Sequence, residues 1–340
     1  MNKVLYKTII AVTALASMAL TSCSKQGRGQ EISVAVFLPG IIADSPTYAH
    51  VAQGAEEAVK EHNAGASGGR KVSLHIMEAG TNQAEWATKL TALTATGKYD
   101  LIISSNPSMP EIALPLTDRF PEQKFIFLDG ALEGNPNIAC ISYNQKEQTY
   151  LSGYISGLMS RTHKVAVVAA QEYPVMNNIL YPYYARGAQD AAGGTTCDFR
   201  VVGNWYDASK GAEITDALAA SGVDVIMPIC GGASQGVISS AKEHGIYLAY
   251  IDENSFAKAP GTVISSCSTK QETATKEALL DFLDGKTEWG TTKVVGLQEG
   301  YIDFIETDPL YESTVPLQIR DKMSALVEGL RNGSIKVPEL

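Results

Sequence analysis

The chain predicts an α/β fold of two Rossmann-like lobes, each a parallel sheet between helices, joined by a multi-crossover hinge. Three observations carry that prediction. Short β-branched apolar runs alternate with segments of helical spacing along nearly the whole chain. The alternation pauses near residue 144 and restarts with the same rhythm. The length of 340 residues, 45% of them apolar, suits two domains of about 150 residues.

Residues 32–38 read as a buried strand ending at Pro39 and Gly40, and 48–63 carry helical spacing behind it. Strand 71–78, helix 83–96, strand 101–104, helix 110–120 and strand 124–128 extend the pattern. A short strand at 138–142 leads into helix 145–160. The second series runs through strand 163–170, helix 179–191, strand 196–203, helix 210–221, strand 223–228, helix 234–243 and strand 247–251. A strand at 262–266, a helix at 271–283 and a strand at 293–297 give the chain enough length to cross between lobes and return. The expected first lobe is 31–144 plus about 262–290, and the second 145–261 plus about 291–340, with 257–261 as one hinge point.

The N-terminus has a separate purpose. Lys3 and Lys7 precede an apolar run at 9–20, so 1–22 read as a secretory signal peptide; a bilayer-spanning helix needs about 20 apolar residues. Leu20, Thr21, Ser22 and Cys23 resemble the bacterial lipobox, whose cysteine takes up diacylglycerol and acyl chains of the palmitate type. Residues 23–30 then form a lipidated tether. The protein is expected to be exported and anchored by lipid to a bacterial membrane, facing the periplasm.

The formal net charge is −10, and residues 1–22 hold two lysines and no acid, so the exported part is more acidic still. Such a surface repels phosphate backbones and argues against nucleic acid as a partner. Cys140, Cys197, Cys230 and Cys267 form no CxxC pair and have no histidines at ligand spacing, so no metal site is expected. Buried thiols are the favoured state for these four, with one disulfide left open. His50, His62, His75, His163 and His244 give no base beside a nucleophile, and HExxH and phosphate-loop motifs are missing. Asp44 with Asp252 would make an acid/base pair, yet carboxylates facing hydroxyls are equally at home in a receptor. No enzyme is expected.

In open α/β sheets, ligands bind beyond the carboxyl ends of the strands. The residues there, Asp129 among them, are rich in Asn, Asp, Tyr and Trp and poor in cations, which suits a neutral, planar, hydroxyl-bearing ligand. Trp205, with Tyr206 beside it, and Tyr48 are the stacking candidates. Asn106, Asn144 and Asn178 would meet ring edges, with Tyr143 beside them. Asp252 would hold hydroxyls or cap the turn at Asn254 and Ser255. Gly231 and Gly232 would let the backbone approach a ligand or cradle an oxyanion.

Segments 204–211 (NWYDASKG), 221–235 (SGVDVIMPICGGASQ), 120–128 (FPEQKFIFL), 150–153 (YLSG) and the trio Tyr250, Ile251, Asp252 resemble the basic membrane protein family, the purine-nucleoside-receptor-like binding lipoproteins of ABC transporters. The resemblance implies a type I periplasmic binding protein fold, with Trp205 stacked on the ligand ring and Asp252 on its hydroxyls. It also implies a permease and its ATPase as partners. Two departures stand out. The family's Asp-x-Ser-Phe-Asn loop becomes Asp44 to Tyr48 here, keeping the acid and shifting or losing the ring, and the lysine it places after the strand holding Ile264 falls near Thr269 and Lys270. Within the family the chain looks most like the spirochaetal riboflavin-binding lipoproteins. The expected ligand is riboflavin, carried as cargo by a monomer; a purine nucleoside is the alternative, and a surface lipoprotein with an interaction role a further one.

Overall fold

The protein is described by a computed structural model over residues 31–65 and 69–340. The expected signal peptide, Cys23 and its tether lie outside the described residues, as does the side chain of Asp44.

The first sheet joins β1 (Glu31–Leu38), β2 (Lys71–Glu78), β3 (Leu101–Ser105), β4 (Lys124–Leu128), β5 (Ile138–Tyr143) and β11 (Thr292–Val295) in the order β11-β5-β4-β3-β1-β2, all parallel. The second joins β6 (Lys164–Ala169), β7 (Thr196–Val201), β8 (Val225–Ile229), β9 (Tyr247–Asp252), β10 (Val263–Thr269) and β12 (Ile302–Phe304) in the order β12-β10-β9-β8-β6-β7. Only the pairing of β12 with β10 is antiparallel. Central strands such as β3 and β8 are buried along almost their whole length, as a sheet covered on both faces requires. The helices between them are α1 (Pro46–Gly65), α2 (Gln83–Ala95), α3 (Met109–Arg119), α4 (Gln145–Met159), α5 (Tyr181–Ala191), α6 (Ala208–Ala220), α7 (Ser234–His244) and α8 (Gln271–Leu283).

The lobe boundaries differ from the expected ones. β10 pairs with β9 and so belongs to the second lobe, while β11 pairs with β5 and belongs to the first. The chain thus crosses after β5, after β10 and after β11. Residues 257–261 lie between two strands of one sheet and are not a hinge. Apolar runs mark these segments as strands, but both sheets offer similar open edges, and only the tertiary arrangement chooses between them. Sequence periodicity also left β12, α9 (Pro309–Thr314) and α10 (Leu317–Arg331) unassigned, although α10 buries Met323, Val327 and Leu330 on one face.

Where the chain crosses, polar contacts hold the strands of the hinge. The Tyr143 hydroxyl donates to Gln271 Oε1 at 3.0 Å, Asn144 N to Val295 O at 2.8 Å, and Leu297 N to Glu147 Oε2 at 2.8 Å. Behind it, α4 and α5 pack backbone to backbone through Gly153, where an added Cβ would lie 2.0 Å from Tyr184 O. Gly153→Val is therefore expected to destabilise the second lobe by about 1–3 kcal/mol or more. A thermal melt reads this; an unchanged Tm would mean the two helices part without penalty.

Candidate functional site

Loops at the carboxyl ends of both sheets face each other across a cleft, and a cavity of about 260 Å³ opens there. Pro46 and Thr47, at the start of α1, wall it from the first lobe. Trp205, Gly231, Ser234, Tyr250 and Asp252 are among its walls on the second. The sequence-predicted ring and acid thus line one cavity.

Trp205 is held by the loop that precedes α6. Asn204 Oδ1 accepts from Tyr206 N at 2.9 Å and Asp207 N at 2.8 Å, and Trp205 O accepts from Ala233 N at 3.1 Å. Its indole stays half-buried against Gly231, whose φ of +56° places it in the left-handed region and whose added Cβ would meet Trp205 Cε3 at 3.2 Å. Gly232 sits beside Tyr206 and the Trp205 carbonyl. Tyr206, 78% exposed, points away into solvent.

Asp252 ends β9 with φ +73°, and Asp129 follows β4 with φ +54°. β4 and β9 hold the same place in their sheets, third from the edge formed by β11 and by β12. The two acids are therefore equivalent residues of two matching lobes, turned inward by the same left-handed step. Asp252 lines the cavity and is exposed to it at the end of its strand. Loss of hydration pushes its carboxyl up to about 6, with Gln148 hydrogen-bonding to it and Glu253 repelling it. Asp129 is pushed up to about 7, first by loss of hydration and then by the Asp252 charge across the cleft.

Around Asp129 the first lobe gathers Tyr48 and Asn106. The half-buried Tyr48 ring lies over Gly40, its hydroxyl hydrogen-bonds to Asn106, and burial with the nearby Asp129 charge raises its pKa. Asn106 is fixed by accepting from Ser108 N at 2.9 Å. Tyr173, in the loop after β6, feels Asp252 and Asp129 together, and burial pushes its hydroxyl up to about 12. Asp129 and Tyr173 are the site residues that sequence reasoning did not assign. The match between Leu128-Asp129 and Ile251-Asp252, each an acid directly after an apolar strand, was the available signal.

Other candidates lie elsewhere. Tyr143 is not among the cavity's walls: it is buried with its hydroxyl bonded to Gln271, and burial followed by the nearby Asp129 charge raises its pKa. Asn144 opens onto a separate groove of about 600 Å³ lined by Lys146, Val294 and the C-terminal residues 335–337. Asn178 is exposed on the π-turn Met176–Leu180 and does not line the cavity. A further cavity of about 230 Å³ lies beside Cys140 and Ala278, at the start of β11. The thiols of Cys140, Cys197, Cys230 and Cys267 are unpaired.

Comparison with known proteins fits this geometry. A family model described as "ABC transporter substrate-binding protein PnrA-like" matches residues 31–336. Basic membrane protein A of Borreliella burgdorferi is 25% identical over 97% of this chain and 95% of its own. The ABC transporter nucleoside-binding protein of Lactococcus lactis is 23% identical over 71% of each. Among solved structures, an ABC transporter solute-binding protein from Aeropyrum pernix superposes with TM-score 0.72 at 20% identity, covering 91% of this chain and 94% of that one. A transcriptional activator of the comK gene from Bacillus halodurans gives the same TM-score over 90% of this chain, so the likeness is one of fold.

Proposed function

Because the chain belongs to the family of PnrA-like ABC transporter substrate-binding proteins, we propose that its interlobe cavity carries riboflavin to a membrane permease. The observation that carries the reading is the shared cavity of Trp205 and Asp252. A flat ring system stacks on the indole, and a hydroxylated chain donates to Asp252. Asp129, with Asn106 and Tyr48, adds a second acceptor pole on the opposite lobe, suited to the N–H and polar edge of the flavin ring. Among the cavity's described walls Lys258 is the one cation, and Glu253 already pairs with it at 2.5 Å, so a neutral donor-rich ligand is favoured over an anion.

Bound across both lobes, the ligand favours the closed state, the permease recognises that shape, and the partner ATPase supplies the energy. The protein acts as a monomer and leaves its cargo chemically unchanged. Acyl chains on Cys23 tether it to the membrane, which the intact mass of the exported protein tests. A purine nucleoside is the second reading, favoured by the relative named as nucleoside-binding. Titration of the purified protein separates the two. Riboflavin fluorescence is expected to be quenched with saturation at one equivalent; a response to inosine or guanosine with none to riboflavin would transfer the function to the nucleoside.

A further inference from the structure

Building on that reading of a ligand with a hydroxylated tail, we propose that Glu253 makes the cavity selective for unphosphorylated ligands, standing where a phosphate would sit and holding the charge of Lys258. Two kinds of donor meet there. Lys258 Nζ lies on the wall, and Ser234 and Gln235 bring the N-terminus of the eleven-residue α7 to it. Tyr250, only 5% exposed, lines the same space and turns its ring toward the Lys258 ammonium, while its hydroxyl is buried. Such a set suits a phosphate. The protein places its own anion among these donors: Glu253 Oε1 is 2.5 Å from Lys258 Nζ, and the ammonium also lies 5.2 Å from the centre of the Tyr250 ring.

The pair is held in place by its turn. Phe256, between the two residues, is wholly buried with its ring 5.9 Å from Tyr311. Ser255 N donates to Ser266 Oγ at 3.0 Å, and Lys258 N to Ser255 O at 3.0 Å. With side chains 38% and 34% exposed, the ion pair adds little to folding stability, so its consequence lies in the charge it presents to the cavity. A phosphate ester differs from its parent alcohol only at the end of the tail. Stacking on Trp205 treats the two alike, and discrimination must come from the charges that meet the tail. Asp252 and Glu253 together repel a phosphate dianion, while Asp252 alone accepts from the hydroxyl of the unphosphorylated tail.

Glu253→Gln tests this, because it keeps the shape and frees Lys258. E253Q is expected to bind riboflavin within about twofold of wild type and to gain about tenfold or more for the phosphate ester of riboflavin. Adding Lys258→Ala should abolish the gain. Inorganic phosphate provides an arm that does not depend on the ligand's identity: it should raise the Tm of E253Q and leave wild type and the double variant unmoved. A folded E253Q that gains neither response, or a wild type that binds ester and alcohol equally well, overturns the proposal. If riboflavin and nucleosides both fail to bind while E253Q still answers to phosphate, the ligand assignment falls and the role of Glu253 stands.

Discussion

Replacing Trp205 by alanine is expected to weaken ligand binding by about 1–3 kcal/mol, roughly fivefold to 150-fold in Kd. The indole is half-buried, so its open face is available to a ring while its other face packs on Gly231. The loop should survive the change. Its turn is held by Asn204 and by the Trp205 carbonyl, both of which remain in the variant. The loss therefore belongs to binding, and Tm should move little. Calorimetry on Trp205→Ala and Trp205→Phe decides the matter, with phenylalanine expected to recover part of the affinity. An alanine variant that binds as wild type would remove the indole from the site.

The second large effect concerns pH. In the unfolded chain both aspartates titrate near 4, whereas in the folded protein Asp129 is held up to about 7 and Asp252 up to about 6. An acid with a raised folded pKa binds protons more readily in the native state. Its stabilising contribution is complete below about pH 4 and is lost as pH rises through about 6 to 7. Asp129→Asn removes that loss. The variant is expected to be more stable than wild type at about pH 8, by on the order of 1–3 kcal/mol after allowance for solvent in the cleft, with the gap closing toward about pH 4. Thermal melts across that range measure it, and a constant gap would refute the coupling. Ligand binding should show the opposite trend. Hydroxyls and ring N–H groups donate best to ionised carboxylates, so affinity should fall as pH drops from about 8 to about 5. A flat profile would mean that neither acid meets the ligand.

The alternation of apolar runs and helical spacing determined by itself that two sheets form and where almost every strand begins, because burial on both faces demands uninterrupted apolar residues. The same logic made Trp205 and Asp252 legible, since each stands at or just beyond the carboxyl end of an apolar run. Allocation of β10 and β11 to their sheets depended on hydrogen-bond partners that are far apart along the chain. Asn144 reads like any other residue at a strand end, yet in the fold it lines a separate groove beside the C-terminal residues. Asp129 shows the converse. Its carboxyl gains significance only when the second lobe brings Asp252 across the cleft, because desolvation and charge repulsion are properties of the space between two lobes and of no single segment.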